Sequence, residues 1–157
     1  MPARDRPARI GFLLSQLGSH AAELFAGEVK ALGITPSEAG VIRIIARNPD
    51  VTQRELADRL GATQSRVVAL VDGLEHKGLA VRTRSTTDRR VQHLDLTERG
   101  RELLPRLRTA AQAQEAAITD GLTAGQVEQL YGLLSDLSTA RGLSAEVHTG
   151  YRDAAAQ

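Results

Sequence analysis

The chain has 157 residues, 41% hydrophobic, 25% charged and 3% aromatic, which suits one globular domain or two interleaved lobes with a core of short aliphatic side chains. Its formal net charge is +1, so a polyanionic partner would have to be met by a local basic cluster and not by the bulk field. The absence of cysteine excludes disulfides, thiolate metal sites and thiol-based redox sensing, and the lone methionine is Met1.

No hydrophobic run approaches the ~18 residues of a membrane span. The opening MPARDRPARIGFLL carries no secretory h-region with a cleavage site, so the expectation is a soluble cytoplasmic protein with no membrane partner.

From Ile10, the residues Leu13, Leu14, Leu17, Ala21, Leu24 and Phe25 recur at helical spacing and predict a long amphipathic helix to about Ala31, stopped at Gly33. TPSEAGVIRIIA follows, with Thr35 as cap, Pro36 at the first helical position and Glu38 closing a capping box. Ala39, Ile42, Ile45 and Ala46 are expected on its buried face. DVTQRELADRLG repeats the logic with Thr52, Glu55 and a Val51–Leu56 staple, and ends at Gly61. TQSRVVALVDGLEHKG then starts from a Thr63 cap, turns Val67, Leu70, Val71 and Leu74 inward, and stops at Gly78. Two short helices around a glycine turn make a helix-turn-helix candidate.

After Gly78 the period changes. LAVRT and VQHLDL read as two short strands flanking RSTTDRR, a hairpin loop. A second long helix starts at Thr97 and carries Pro105, where a kink is expected. TAGQVEQLYGLLSDL gives a last capped helix, Thr123 with Gln126, bearing Val127, Leu130, Leu134 and Leu137. The stretch after Gly142 has no period and reads as a flexible tail.

Helix-turn-helix followed at once by a hairpin is the order of a winged helix. DRRVQHLDLTERG resembles the wing signature of the MarR family of winged-helix transcriptional regulators, matching it at Asp88, Arg90, Leu94, Leu96, Thr97 and Gly100. QRELADRLGATQSRVVALVDGLEHKGL resembles the helix-turn-helix of the same family, and the likeness covers roughly residues 10–140. It implies a mainly α fold with a small β-hairpin wing, a winged helix-turn-helix flanked by N- and C-terminal dimerisation helices. The expected divisions are an N-terminal dimerisation helix (1–33), a DNA-binding lobe (34–100), C-terminal dimerisation helices (101–142) and the tail (143–157).

The resemblance makes Arg90 the residue inserted in a DNA minor groove, with Asp88 bracing it and Arg89 as the alternative, because narrow A·T-rich minor grooves concentrate negative potential. Arg82 and Arg84 are expected at flanking phosphates or as solvated strand residues. On the recognition helix, Gln64, Ser65, Val68, Ala69 and Asp72 share the face opposite the apolar one, with Arg66 to one side. Gln64 suits adenine, Arg66 guanine or phosphate, and Ser65 phosphate, while Val68 and Ala69 can touch thymine methyls or simply leave space.

Apolar stripes at both ends of the chain exceed what one small winged lobe covers, and in the family such helices intertwine in a homodimer on a pseudo-palindromic site of double-stranded DNA. The function implied is a transcriptional regulator, a repressor, released by a small organic effector and needing no cofactor. His20 reads as a packed interface residue or as the ligand contact, and any stacking would draw on Phe12, Phe25, Tyr131 or Tyr151. An enzyme is disfavoured, since His20, His76, His93 and His148 are scattered, form no HxxxH or HExxH pair, and accompany no phosphate loop. The alternative reading is a metal-responsive regulator of the same fold, with His93, Asp95 and a histidine of another helix as ligands.

Overall fold

The computed structural model describes residues 9–152. In chain order they form α1 (Ile10–Lys30), α2 (Pro36–Arg47), α3 (Gln53–Leu60), α4 (Gln64–His76), β1 (Ala80–Arg84), β2 (Gln92–Leu96), α5 (Glu98–Ile118), α6 (Ala124–Ala140) and a 3-10 turn, Thr149–Tyr151. The order is the one expected. The reading of Met1 lies outside the described residues.

Local chemistry sets the helix starts. Thr35, Thr52 and Thr123 each accept the backbone N–H three residues on, and Glu38, Glu55 and Gln126 accept the cap N–H in return, so two otherwise orphaned donors are satisfied at each start. Gly61 ends α3 in the left-handed region at φ 62°, and two residues later Thr63 caps α4. This short turn fixes α3 and α4 as the helix-turn-helix.

The core is one cluster in which α2 packs on α1, α4, α5 and β2. Because α2 has neighbours on several sides, its buried face is wider than a single stripe: Val41 and Ile44 are buried with Ala39, Ile42 and Ile45, whereas Ala46, expected inside, is exposed. Glu38 is buried too, and its carboxylate accepts the Thr35 N–H at 2.8 Å and the Lys77 ammonium at 2.6 Å. Capping and ion pairing together remove the penalty of an isolated buried charge.

β1 and β2 pair antiparallel, from Ala80 opposite Leu96 to Arg84 opposite Gln92. The hairpin is extended by one rung on its other edge, where the Leu94 N–H donates to Val51 O at 2.8 Å and Thr52 bridges His93. At its base, Thr97 caps α5, and its hydroxyl also donates to Gly78 O at 2.7 Å. A Cβ on Gly100 would overlap the carbonyl of Leu79. The Thr-x-x-Gly of the wing signature is thus the joint that lets α5 lie directly on the start of β1.

α5 runs through Pro105 as one helical element, and its Leu103 and Leu107 belong to the same core as α2–α4. The division expected at residue 100 therefore falls inside α5. At the far ends the packing stops. α1 buries only Val29, α6 buries nothing, and Leu13, Leu14 and Leu17 of α1 and Leu133, Leu134 and Leu137 of α6 are exposed.

The stretch after Gly142, read as a flexible tail, corrects that expectation over its described part. His148 accepts the Gly150 N–H at 2.9 Å and organises the 3-10 turn, and Tyr151 is buried against the winged lobe. A single aromatic anchor orders a segment too short and irregular to show a period.

Candidate nucleic-acid interface

Helix α4 presents what its caps and apolar stripe dictate. With Val67, Val71 and Leu74 fully buried and Leu70 half-buried, the residues Gln64, Ser65, Val68, Ala69 and Asp72 are all exposed. Thr63 keeps the first turn in place by accepting the Arg66 N–H and contacts the Ser65 hydroxyl at 3.2 Å. The helix therefore offers solvent a polar N-terminal turn followed by two small apolar residues.

The wing loop is organised by its own short side chains. Ser85 Oγ accepts the Thr87 N–H at 3.2 Å and contacts the Thr87 hydroxyl at 3.0 Å, while the Ser85 N–H closes the loop on Val91 O at 3.0 Å. Asp88 Oδ1 accepts the Arg90 backbone N–H at 3.0 Å and its Nε–H at 3.3 Å. The pairing expected between these two residues is present. These two donations hold the Asp88 carboxyl below its ordinary value, the backbone one contributing most. The Arg90 side chain is 91% exposed beside it, and Arg84 and Arg89 are exposed as well.

Arg82 departs from the expectation. Its guanidinium lies inward, 15% exposed, donating to the carboxylates of Glu75 and Asp72, to Gln53 Oε1 at 3.0 Å and to Val68 O. Its backbone N–H donates to Glu75 as well, at 2.8 Å. Its exposure and partners are those of a knot tying β1 to α3 and α4, not of a solvated strand residue. Acids three residues apart on α4, with Gln53 at the start of α3, converge on one strand residue. The sequence places these residues on separate elements and carries no signal for their meeting.

Arg66 is half-buried for a second reason. Its Nη1–H donates to Tyr151 O at 2.9 Å and its Nη2–H to Gly150 O at 2.8 Å, with the guanidinium 5.9 Å from the Tyr151 ring centre. The first turn of α4 and the 3-10 turn meet at this side chain.

His20 is exposed on α1 and lines neither of two cavities of the fold, so these cavities lend it no support as an effector contact. One of them, about 410 Å³, lies between the C-terminal end of α4 and α5 and is lined by Lys77, Arg99 and Arg106 together with Glu102, Leu79 and Leu103. The residues named for the metal alternative, His93 and Asp95, are held by other partners and are not joined by a third ligand among the described residues. The His93 ring nitrogen Nδ1 is hydrogen-bonded to Asp50 O at 2.8 Å, and Asp95 accepts two hydrogen bonds of 2.9 Å from Arg101. Among the described residues no three His, Cys, Asp or Glu side chains gather as a metal site.

Residues 32–91 match the model of the MarR family. A Thauera aromatica protein whose name assigns it to transcriptional regulation of the hcr operon is 37% identical over 105 residues, which span 67% of this chain and 63% of that protein. The transcriptional repressor CouR, solved bound to a 23-mer DNA duplex, is similar at 33% identity and a TM-score of 0.72, over 82% of this chain and 92% of CouR. A MarR-family transcriptional regulator of Rhodococcus sp. RHA1 is similar at 27% identity and a TM-score of 0.71, over 88% and 98% of the two chains.

Proposed function

Because the chain belongs to the MarR family of transcriptional regulators, we propose that it is a homodimeric repressor that reads a pseudo-palindromic operator with α4 and the wing. The observation that carries this is the wing itself: an exposed Arg90 held by Asp88 on a hairpin fastened to the recognition helix through Arg82. A guanidinium so held loses little further freedom on entering a narrow groove. Gln64, Ser65, Val68 and Ala69 face the major groove, and Arg84 and Arg89 lie against phosphates beside Arg90.

The lobe of residues 34–100 is the reading head in this scheme, and α1 with α5 and α6 is the dimerisation arm. Its support is the row of exposed leucines at both chain ends. Two heads related by a two-fold axis require half-sites about one helical turn apart. Catalysis plays no part. Among the described residues no helix is long and apolar enough to cross a membrane.

The effector of this scheme is a small organic anion in the cavity between α4 and α5, where Arg99 and Arg106 outnumber Glu102 over an apolar floor and Lys77 is already paired with Glu38. To release DNA it must prefer the arrangement of the lobes that does not fit the operator. Selection of bound duplexes from randomised DNA tests the reading. An inverted repeat should be enriched, and small aromatic and aliphatic acids are then titrated for release. Recovery of no common sequence from a folded dimer would count against it.

A further inference from the structure

The candidate DNA surface has an occupant within the chain. Residues 147–152 return from the end of α6 to a slot between α2 and the first turn of α4. Val147 packs on the core edge, and Tyr151 fills the slot with 6% exposure, its hydroxyl donating to Ser37 O at 2.6 Å. The slot exists because residue 40, in the interior of α2, is glycine: a Cβ there would overlap the Tyr151 hydroxyl. Glycine is disfavoured in a helix interior, so its presence opposite a buried ring is informative. At the other side of the slot the carbonyls of Gly150 and Tyr151 take both terminal nitrogens of Arg66. Those nitrogens are the fork that would grip guanine O6 and N7, or a phosphate.

We infer that residues 147–152 are a latch: docked, they withhold Arg66 from DNA, and a duplex binds at full strength only when Tyr151 leaves the slot beside Gly40. The inference rests on the DNA-binding reading of α4. One guanidinium cannot satisfy both carbonyls and a base edge at once, so latch and duplex compete. The latch is also built to open. The Arg47–Glu146 ion pair beside it is 3.9 Å long and exposed. The docked state therefore depends on Tyr151 and Arg66, and a small unit of this kind detaches without unfolding the core.

A latch closed in about nine molecules of ten weakens apparent affinity about tenfold, since binding scales with the open fraction. Full-length Tyr151→Ala should accordingly bind a non-specific duplex about tenfold tighter than the parent chain. Gly40→Ala should do the same, and the double variant no better than either. Adding Arg66→Ala to Tyr151→Ala should abolish the gain. Equal or weaker binding by a folded Tyr151→Ala dimer overturns the latch. Displacement is read directly with 3-fluorotyrosine in the Tyr131→Phe chain, where Tyr151 is the one remaining tyrosine. Its 19F resonance should move to the solvent-exposed position at saturating duplex. A chain that binds duplex while this resonance stays put overturns the latch alone. One that binds no duplex overturns the DNA-binding reading and the latch with it.

Discussion

Two arginines of one hairpin meet opposite fates, and the difference lies in what stands across from each. Arg82 faces Glu75, Asp72 and Gln53 and is pulled inward, whereas Arg90 pairs, among the described residues, with its neighbour Asp88 and remains in solvent. Arg82→Ala should cost about 2 kcal/mol of stability, because charge-assisted hydrogen bonds disappear and Glu75 loses its partner in a half-covered site. Its urea midpoint should fall measurably. Arg90→Ala should leave that midpoint unchanged while weakening duplex binding, and should flatten the dependence of log K on log salt by roughly one unit per lost contact in each subunit. The opposite pattern would exchange the roles of the two residues. Asp88 adds a pH test. Its folded carboxyl titrates below the ordinary 3.8 because the Arg90 backbone and side chain donate to it. The stability it contributes is thus present above 3.8 and is lost only as pH falls through the lowered value. The Arg90 amide resonance should accordingly titrate with a midpoint below 3.8.

At the scale of elements, the joint between wing and α5 shows why a signature pairs threonine with glycine. Thr97 caps α5 through the Gly100 N–H and fastens Gly78 O, while Gly100 leaves room for the Leu79 carbonyl. Gly100→Ala should therefore force the helix off the strand and cost about 3 kcal/mol or more, as overpacking against backbone does. Thr97→Ala should cost about 1–2 kcal/mol through the lost cap. Chemical denaturation of the two variants gives the comparison. A neutral Gly100→Ala would mean that α5 slides freely on the lobe. The same economy of space recurs at Gly73, where a Cβ would fall 2.9 Å from the buried Glu38 carboxylate that receives Lys77.

For the whole molecule, the decisive feature is the apolar surface left at its ends. Leu13, Leu14 and Leu17 on α1 and Leu133, Leu134 and Leu137 on α6 are more than a third exposed, and so many large apolar side chains in water on two helices call for another surface to cover them. Sedimentation should give about twice the 16.9 kDa of one chain at micromolar concentration. Leu17→Lys combined with Leu134→Lys should yield monomers that bind operator far more weakly, since one head alone loses the second half-site. A folded parent monomer under those conditions would refute the arrangement. Mild peroxide should cause no DNA release that a thiol reductant reverses, because the chain has no cysteine to oxidise.

The order of elements, the helix starts and the wing were all legible in the sequence, because they depend on spacings of three or four residues. Thr35 with Glu38, Thr52 with Glu55 and Gly61 at the turn act on neighbours whatever the rest of the chain does. The polar face of α4 followed from its apolar stripe for the same reason, and the paired Asp88 and Arg90 from a separation of two. What only the tertiary structure decided are the meetings of residues far apart in the chain. Periodicity could not place Ala46 outside or Val41 and Ile44 inside, since that depends on how many elements surround α2. Nor could it turn Arg82 from the DNA side to the acids of α4, or carry Tyr151 to Gly40 and the backbone beside it to Arg66. The exposed position of His20 and the cationic cavity between α4 and α5 likewise follow from packing. A side chain's partner across the fold is chosen by the three-dimensional path of the backbone, and no local pattern records it.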